Sequence, residues 1–261
     1  MISTETVLYS VAEGVATITL NRPDRLNAWT REMGEGWSSA LERAARDPEV
    51  RALVVTGAGK GFCAGADMSL LESIGGGAAV VGEERRVLPT EAIEVPKPVI
   101  AAVNGACAGL GLVVALCCDI RFAAAGAKFT SAFARRGLIA EYGSSWLLPR
   151  LVGTARALDI LLSARIFLAE EALEMGLVNR VVAAEAVVGA ATAYARDLVA
   201  GCPPGSMAVI KRQVYRHSAT DLETAVQESI QLMEESLTTA DFKEGVASYV
   251  EQRPPRFQPL S

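Results

Sequence analysis

Two glycine-rich turns are the places in this 261-residue chain where chemistry is easiest to site. The first reads Gly57-Ala-Gly-Lys-Gly-Phe-Cys-Ala-Gly-Ala-Asp67, and the second Asn104-Gly-Ala-Cys-Ala-Gly-Leu-Gly111. Each follows a short apolar run, 52–56 and 99–103, that reads as a buried strand. A turn without large side chains lets a substrate approach the main chain and leaves amide N–H groups facing outward. Where a helix starts at such a turn, its unpaired N–H groups and positive end favour an anion. Two turns side by side could aim two N–H groups at one developing oxyanion. Small residues also permit tight packing and nothing more, so the turns alone leave both readings open.

Other chemistries are harder to build. The single histidine, His217, excludes a zinc site made of several His and is the only base available to a Ser-His-Asp triad. It sits near Lys211, Arg212 and Arg216, a mixed-charge segment that reads as a solvated helix face. Gly59-Lys60 is followed by Gly61 where a Walker phosphate loop needs Ser or Thr, and no G-x-S-x-G elbow occurs. Cys63, Cys107, Cys117, Cys118 and Cys202 are an odd set without the spacing of a disulfide framework or a zinc ribbon. They read as reduced core thiols of a cytoplasmic protein, with Cys63 a packed small residue, and no metal site is expected. Asp67 reads as a helix cap.

Composition narrows the class further. With 25 basic against 30 acidic residues the net charge is −5, which argues against a nucleic-acid partner. A chain 51% hydrophobic and 21% charged is neither disordered nor fibrous. Residues 98–118 carry no charge over a length that could span a bilayer. They are rich in Ala, Gly and Cys and are interrupted by Asn104-Gly105, so a strand, a turn and a buried helix are expected instead. No membrane partner follows, and the first twenty residues have neither a signal-peptide nor a transit-peptide pattern.

The elements that must hold the turns read as an α/β core. Runs 7–11 and 15–20 alternate as a hairpin. Residues 30–45 repeat Met33, Trp37, Leu41 and Ala44 on one helix face, with Thr30 as its cap. A helix is expected from 68 to 73, a glycine-rich insert at 74–82, helix again over 83–93, and a strand at 119–125. Beyond Gly153 the pattern is mostly helical: 154–163, 169–175 closed by Gly176, 185–200, 206–216, 221–238 and 241–252. The irregular strand, turn, helix rhythm fits an α/β core and no solenoid. Cys202-Pro203-Pro204-Gly205 is the best linker candidate, leaving a helical appendix that must pack on something to be stable.

Several motifs stand in order along nearly the whole chain: Asn21-Arg-Pro-Asp-Arg-Leu-Asn-Ala28, Gly61-Phe-Cys-Ala-Gly-Ala-Asp67, Pro96-Lys-Pro-Val-Ile-Ala-Ala-Val-Asn-Gly105, Cys118-Asp-Ile-Arg121, Leu147-Leu-Pro-Arg-Leu-Val-Gly153 and Ala169-Glu-Glu-Ala-Leu-Glu-Met-Gly-Leu-Val178. Together they resemble the enoyl-CoA hydratase/isomerase (crotonase) family. The resemblance implies a crotonase-like spiral of repeated ββα units with a C-terminal helical region. It divides the chain into a catalytic core, 1–201, and a region 202–261 for oligomerisation and active-site cover, as a homotrimer or dimer of trimers. It also implies an acyl-CoA or enoyl-CoA substrate, with coenzyme A part of the substrate and no cofactor. The shared step is stabilisation of a thioester enolate by two backbone N–H groups, which the motifs place at Ala66 and Leu110. CoA and substrate contacts are implied at Leu26, Ala28, Ala64, Asp67, Met68 and Gly109. Asp119 reads as structural in the family pattern.

The acid/base residue decides the reaction. The family's hydratases orient water with two glutamates, and the matching positions here hold Val113 and Phe133. Neither can move a proton. What remains is Glu141 in Gly137-Leu-Ile-Ala-Glu-Tyr-Gly143, where some family isomerases carry an acidic residue. One carboxylate suffices for a double-bond shift, and Leu138, Ile139 and Trp146 could raise its pKa by desolvation. The bland alternative has Glu141 capping a helix that begins near Tyr142, or pairing with Arg135 or Arg136. Enoyl-CoA isomerisation is therefore the first expectation. Hydration using Glu141 alone is the alternative within the enzyme class, and a catalytically silent acyl-CoA-binding subunit is the alternative outside it.

Overall fold

Alternating apolar residues fold the N-terminus into the expected hairpin. Strand β2 (Val7–Ala12) and strand β3 (Val15–Leu20) are antiparallel and turn at Glu13 and Gly14, both at positive φ. The computed structural model describes residues 3–4, 6–69, 72 and 88–260. A two-residue strand β1 (Ser3–Thr4) pairs with β2. From β3 onward the main sheet becomes parallel, through β4 (Ala52–Gly57), β6 (Val99–Val103), β8 (Ile120–Ala124) and β11 (Arg180–Val182). Every residue of β4 and β6 is buried, which is why both read as unbroken apolar runs.

A second, smaller sheet carries the repeat. It has the order β10 (Phe167–Leu168), β9 (Lys128–Thr130), β7 (Ala106–Ala108), β5 (Gly61–Cys63). Each of β4, β6 and β8 leads through a short turn into β5, β7 and β9 in turn, so the chain winds between the two sheets as a spiral. The expected glycine-rich turns are thus partly strand. Strands of three residues are too short to show a period of two, so their pairing is invisible in the sequence. Strands β9, β10 and β11 escaped notice for the same reason.

Helices complete the scaffold. Helix α1 (Arg31–Arg46) starts where expected, with the Thr30 hydroxyl accepting from the Met33 amide, and it buries Met33, Trp37, Leu41 and Ala44. Its C-terminus is closed by the buried Lys97 ammonium, which donates to the Ala44 carbonyl at 2.6 Å and the Asp47 carbonyl at 2.7 Å. Of the expected helices over 68–73 and 83–93 only parts are described, including the single turn α2 (Glu91–Glu94); the insert at 74–82 lies outside the described residues. Helix α3 (Leu110–Cys117) is buried along its whole length. Helix α4 (Ser144–Val152) packs on α3, and α5 (Thr154–Ser163) and α6 (Ala169–Glu174) follow. No described helix is long and apolar enough to cross a membrane.

The C-terminal region is α7 (Val187–Gly201), α8 (Pro204–His217), α9 (Leu222–Leu237) and α10 (Ala240–Val250). Two expectations change here. Pro204 and Gly205 belong to α8, with the buried Pro204 as its first residue, so the link between α7 and α8 shrinks to Cys202-Pro203. Proline suits that first position because no helical partner is lost. The basic segment of α8 is a solvated face only in part: Arg212 and Arg216 are exposed, whereas Lys211 and His217 face inward. Lys211 is only 8% exposed and pairs with Asp119 at 2.9 Å, while donating to the Ala92 and Lys97 carbonyls. Tyr215 donates to the other Asp119 oxygen at 3.0 Å, and His217 lies 3.3 Å from Glu228 of α9. Asp119 also accepts from the Val99 amide, so the structural role expected for it is a three-way junction between β6, the start of β8 and α8. Lys211→Met should therefore cost about 3 kcal/mol, because it strands a mostly buried carboxylate; a urea unfolding curve against wild type measures it.

Candidate active site

The first turn is built on residue 27. Asn27 is fully buried at positive φ, and its amide donates to the Gly61 carbonyl at 2.7 Å and the Ala58 carbonyl at 3.0 Å while its oxygen accepts from the Arg22 amide. Segment 26–29 is thereby laid against segment 64–67. The Ala64 amide donates to Leu26, the Trp29 amide to Gly65 at 2.7 Å, and the Asp67 amide to Trp29 at 2.9 Å, forming an isolated parallel bridge between Trp29 and Ala66. Because Gly65 C=O and Asp67 N–H face Trp29, the Ala66 N–H between them faces away. Among the described residues it donates to no main-chain carbonyl.

The second turn supplies a similar group. Leu110 is the first residue of α3, preceded by Gly109 at φ 50° with no side-chain cap. The Gly109 amide is taken by Thr130, and the Leu110 amide, one of the orphan donors of a helix start, has no main-chain acceptor among the described residues. The two turns touch. Gly65 sits at φ 97°, and a methyl added to it would lie 3.0 Å from the Ala108 oxygen and 3.7 Å from the Leu110 nitrogen. Gly111 is needed for a different reason: a side chain there would overlap the Cys63 carbonyl. Tight packing and unpaired amides, the two readings the sequence left open, therefore both apply.

The surroundings of these amides are apolar. Val113 is one turn along α3 and fully buried; Phe133 is buried with its ring edge against Gly109. Leu26, Ala28, Ala64 and Asp67 lie on the paired segments, Met68 follows them with an exposed side chain, and Gly109 faces Gly65. The sequence-selected positions from both turns are thus brought together. Cys63, also here, is buried with its thiol pushed up to about 12 by desolvation, which fits an inert packing residue.

Glu141 lies between a 3-10 turn (Ala134–Arg136) and α4, and its carbonyl accepts from the Ser144 amide. Its carboxylate has neither an ion pair nor a hydrogen bond among the described residues, and burial raises its pKa. The bland reading of this residue does not hold. Helix α4 begins at Ser144 behind Gly143 and carries no side-chain cap, while Arg135 donates to the Ser163 carbonyl and Arg136 to that of Ala132. Ile139, expected to shield the carboxylate, is instead 80% exposed. Sequence reading missed Asn27 and Arg22 as builders of the first turn, and the Ser144 hydroxyl, which is buried without a partner among the described residues three positions after Glu141. A polar Asn between Leu26 and Ala28 was the one available hint.

Comparison with known proteins agrees with this architecture. The family model described as enoyl-CoA hydratase/isomerase matches residues 10–259, and the chain belongs to that family. The 1,2-epoxyphenylacetyl-CoA isomerase of Escherichia coli is 38% identical over 97% of this chain and 98% of its own length. A protein named "probable enoyl-CoA hydratase" from Rhodobacter capsulatus is 39% identical, covering 98% of each. Among solved structures, an enoyl-CoA hydratase from Mycobacterium tuberculosis superposes with a TM-score of 0.90 at 31% identity, over 98% of this chain and 100% of that one. The fold is the crotonase fold, α/β with mixed sheets and a C-terminal helical region.

Proposed function

We propose that this acyl-CoA enzyme moves a carbon–carbon double bond in an enoyl-CoA thioester. The observation that carries the reading is Glu141: a partly buried carboxylate, raised in pKa and without a partner among the described residues, in a chain whose two hydratase positions hold the buried Val113 and Phe133. In this mechanism Glu141 takes a proton from C2 of a 3-enoyl thioester. The electron pair moves onto the thioester oxygen, where the Ala66 and Leu110 amides stabilise the resulting dienolate. Protonated Glu141 then returns the proton to C4, leaving the double bond between C2 and C3. Leu26, Ala28, Ala64, Asp67, Met68 and Gly109 line the approach for the CoA portion. Raising the pKa of the carboxyl makes its ionised form a stronger base, which suits such a shuttle.

Residues 1–201 are assigned binding and catalysis, and 202–261 assembly and cover. Support for assembly comes from α9, where Leu222, Val226, Ile230, Met233 and Leu237 recur on one face and stand exposed. Copies of the same chain are the expected occupants, as a trimer or dimer of trimers. The five cysteines are unpaired thiols, which suits a reducing compartment such as the cytoplasm.

Incubation with a 3-enoyl-CoA in deuterium oxide tests the reading. The expected product is a 2-enoyl-CoA, with deuterium at C4 to the extent that protonated Glu141 exchanges with solvent before it returns the proton. Crotonyl-CoA should remain unhydrated over the same interval. Accumulation of 3-hydroxyacyl-CoA from crotonyl-CoA at a comparable rate would replace isomerisation by hydration. Neither product would point to a silent binding subunit.

A further inference from the structure

We infer that Arg22, acting through Asp67, is the positioning residue that aims the Ala66 amide; this rests on the reading of Ala66 as a donor to the thioester oxygen. In a trans peptide the C=O and N–H point in opposite directions. The Ala66 N–H is therefore steered by whatever holds the Gly65 carbonyl, and that is the Trp29 amide at 2.7 Å. The bridge between Trp29 and Ala66 is isolated: the Ala64–Leu26 bond holds the segments on one side of it, and among the described residues no main-chain bond holds them beyond Asp67 on the other. Arg22 supplies the missing restraint. Its Nη1 donates to the Ala28 carbonyl at 2.6 Å and to Asp67 Oδ2 at 2.7 Å, so one nitrogen staples the residue before Trp29 to the residue after Ala66.

Both ends of the staple are themselves fixed. Arg22 exchanges hydrogen bonds with Asn27, its amide donating to Asn27 Oδ1 and its carbonyl accepting from the Asn27 amide. Asp67 Oδ1 accepts from the Ser69 amide and hydroxyl. Electrostatics adds a second requirement. A bare carboxylate one residue from Ala66 would oppose the negative charge of an enolate, and the Arg22 guanidinium offsets it at close range. The guanidinium holds the two Nη1 hydrogens in a preset plane, whereas an ammonium on its flexible stem has no such fixed direction.

The probe is butyryl-CoA labelled with carbon-13 at its thioester carbonyl, a saturated thioester with no double bond to move, read by difference infrared spectroscopy. Bound to wild type, the carbonyl stretch should fall below its free value, and Glu141→Gln should leave that shift in place. Arg22→Met should return the stretch toward the free value and lower kcat about 100-fold, the scale of a misplaced donor, with butyryl-CoA affinity changed only a few-fold. The pair should also act as a unit, the Arg22→Met/Asp67→Ala double variant losing no more than Arg22→Met alone. If Arg22→Met does not fold, Arg22→Lys, which keeps a donor, should give an intermediate frequency and rate. A retained wild-type frequency in the folded variant, or a loss of activity through binding alone, overturns the role of Arg22 and leaves the two-amide reading standing. An unshifted stretch in wild type overturns both.

Discussion

Glu141→Gln should lower kcat for double-bond migration by about 100-fold to 10,000-fold, the range lost with a positioned acid–base group, while thioester binding barely changes. The amide keeps the size and polarity of the carboxyl but cannot hold the migrating proton. The same substitution should make the substrate-free protein more resistant to urea at pH 7 to 8. The reason is that burial desolvates Glu141, so its ionised form is disfavoured in the folded state and its pKa is raised. The sign follows from proton linkage. Between the unfolded value of about 4.3 and the raised folded value, the native state binds more protons than the unfolded state, so stability falls as pH rises through that window. Below it the wild type and the Gln variant should converge. Activity runs the opposite way: a base must be ionised, so kcat/KM should decline on the acid side with a midpoint above the ordinary glutamate value. Asp67 does not confuse this limb, because hydrogen bonds from Arg22 and Ser69 hold its pKa at about 2. A pH–rate profile with no acid limb above pH 4.5, or a Gln variant as active as wild type, removes Glu141 from the mechanism.

How much of this could be read in advance depended on whether a signal was local. The hairpin, α1 with its Thr30 cap and α5 announce themselves through local periodicity and β6 through an unbroken apolar run, and the structure places them within a residue or two of expectation. The ordered motifs identified the family because each spans only a few adjacent positions. What stayed hidden was set by partners far along the chain. Lys211 looks like one more surface cation until α8 lays it on Asp119, ninety-two positions earlier. Arg22 has nothing to do with Asp67 in sequence, yet the two share a hydrogen bond across the bridge. The isolation of Glu141 was equally unreadable, since Arg135 and Arg136 are near enough in sequence to pair with it and instead turn to carbonyls of Ser163 and Ala132. Candidate residues were legible; the contacts that give or deny them a role were not.

Leu110→Pro tests the second donor without disturbing the helix that bears it. Leu110 is the first residue of α3, the position where proline is tolerated because its fixed φ suits a helix start and the amide it lacks has no helical acceptor. The preceding Gly109 has no Cβ to collide with the ring, which is the usual objection to a residue before proline. The substitution therefore deletes one N–H and trims a side chain. Loss of one such donor should reduce kcat by about 100-fold to 1,000-fold, with little change in the affinity of a saturated thioester. Leu110→Ala is the necessary companion. It keeps the amide and sacrifices packing, since Leu110 is almost fully buried, so it should cost about 2 to 5 kcal/mol of stability. Its kcat at a temperature where it is folded should stay within several-fold of wild type. Both variants lose side-chain packing, but only proline loses the amide, so the rate separates them: alanine injures the packing alone and proline the chemistry as well. Equal losses of kcat in both would assign the effect to the side chain and leave Ala66 as a lone donor, which is too little to hold a thioester enolate.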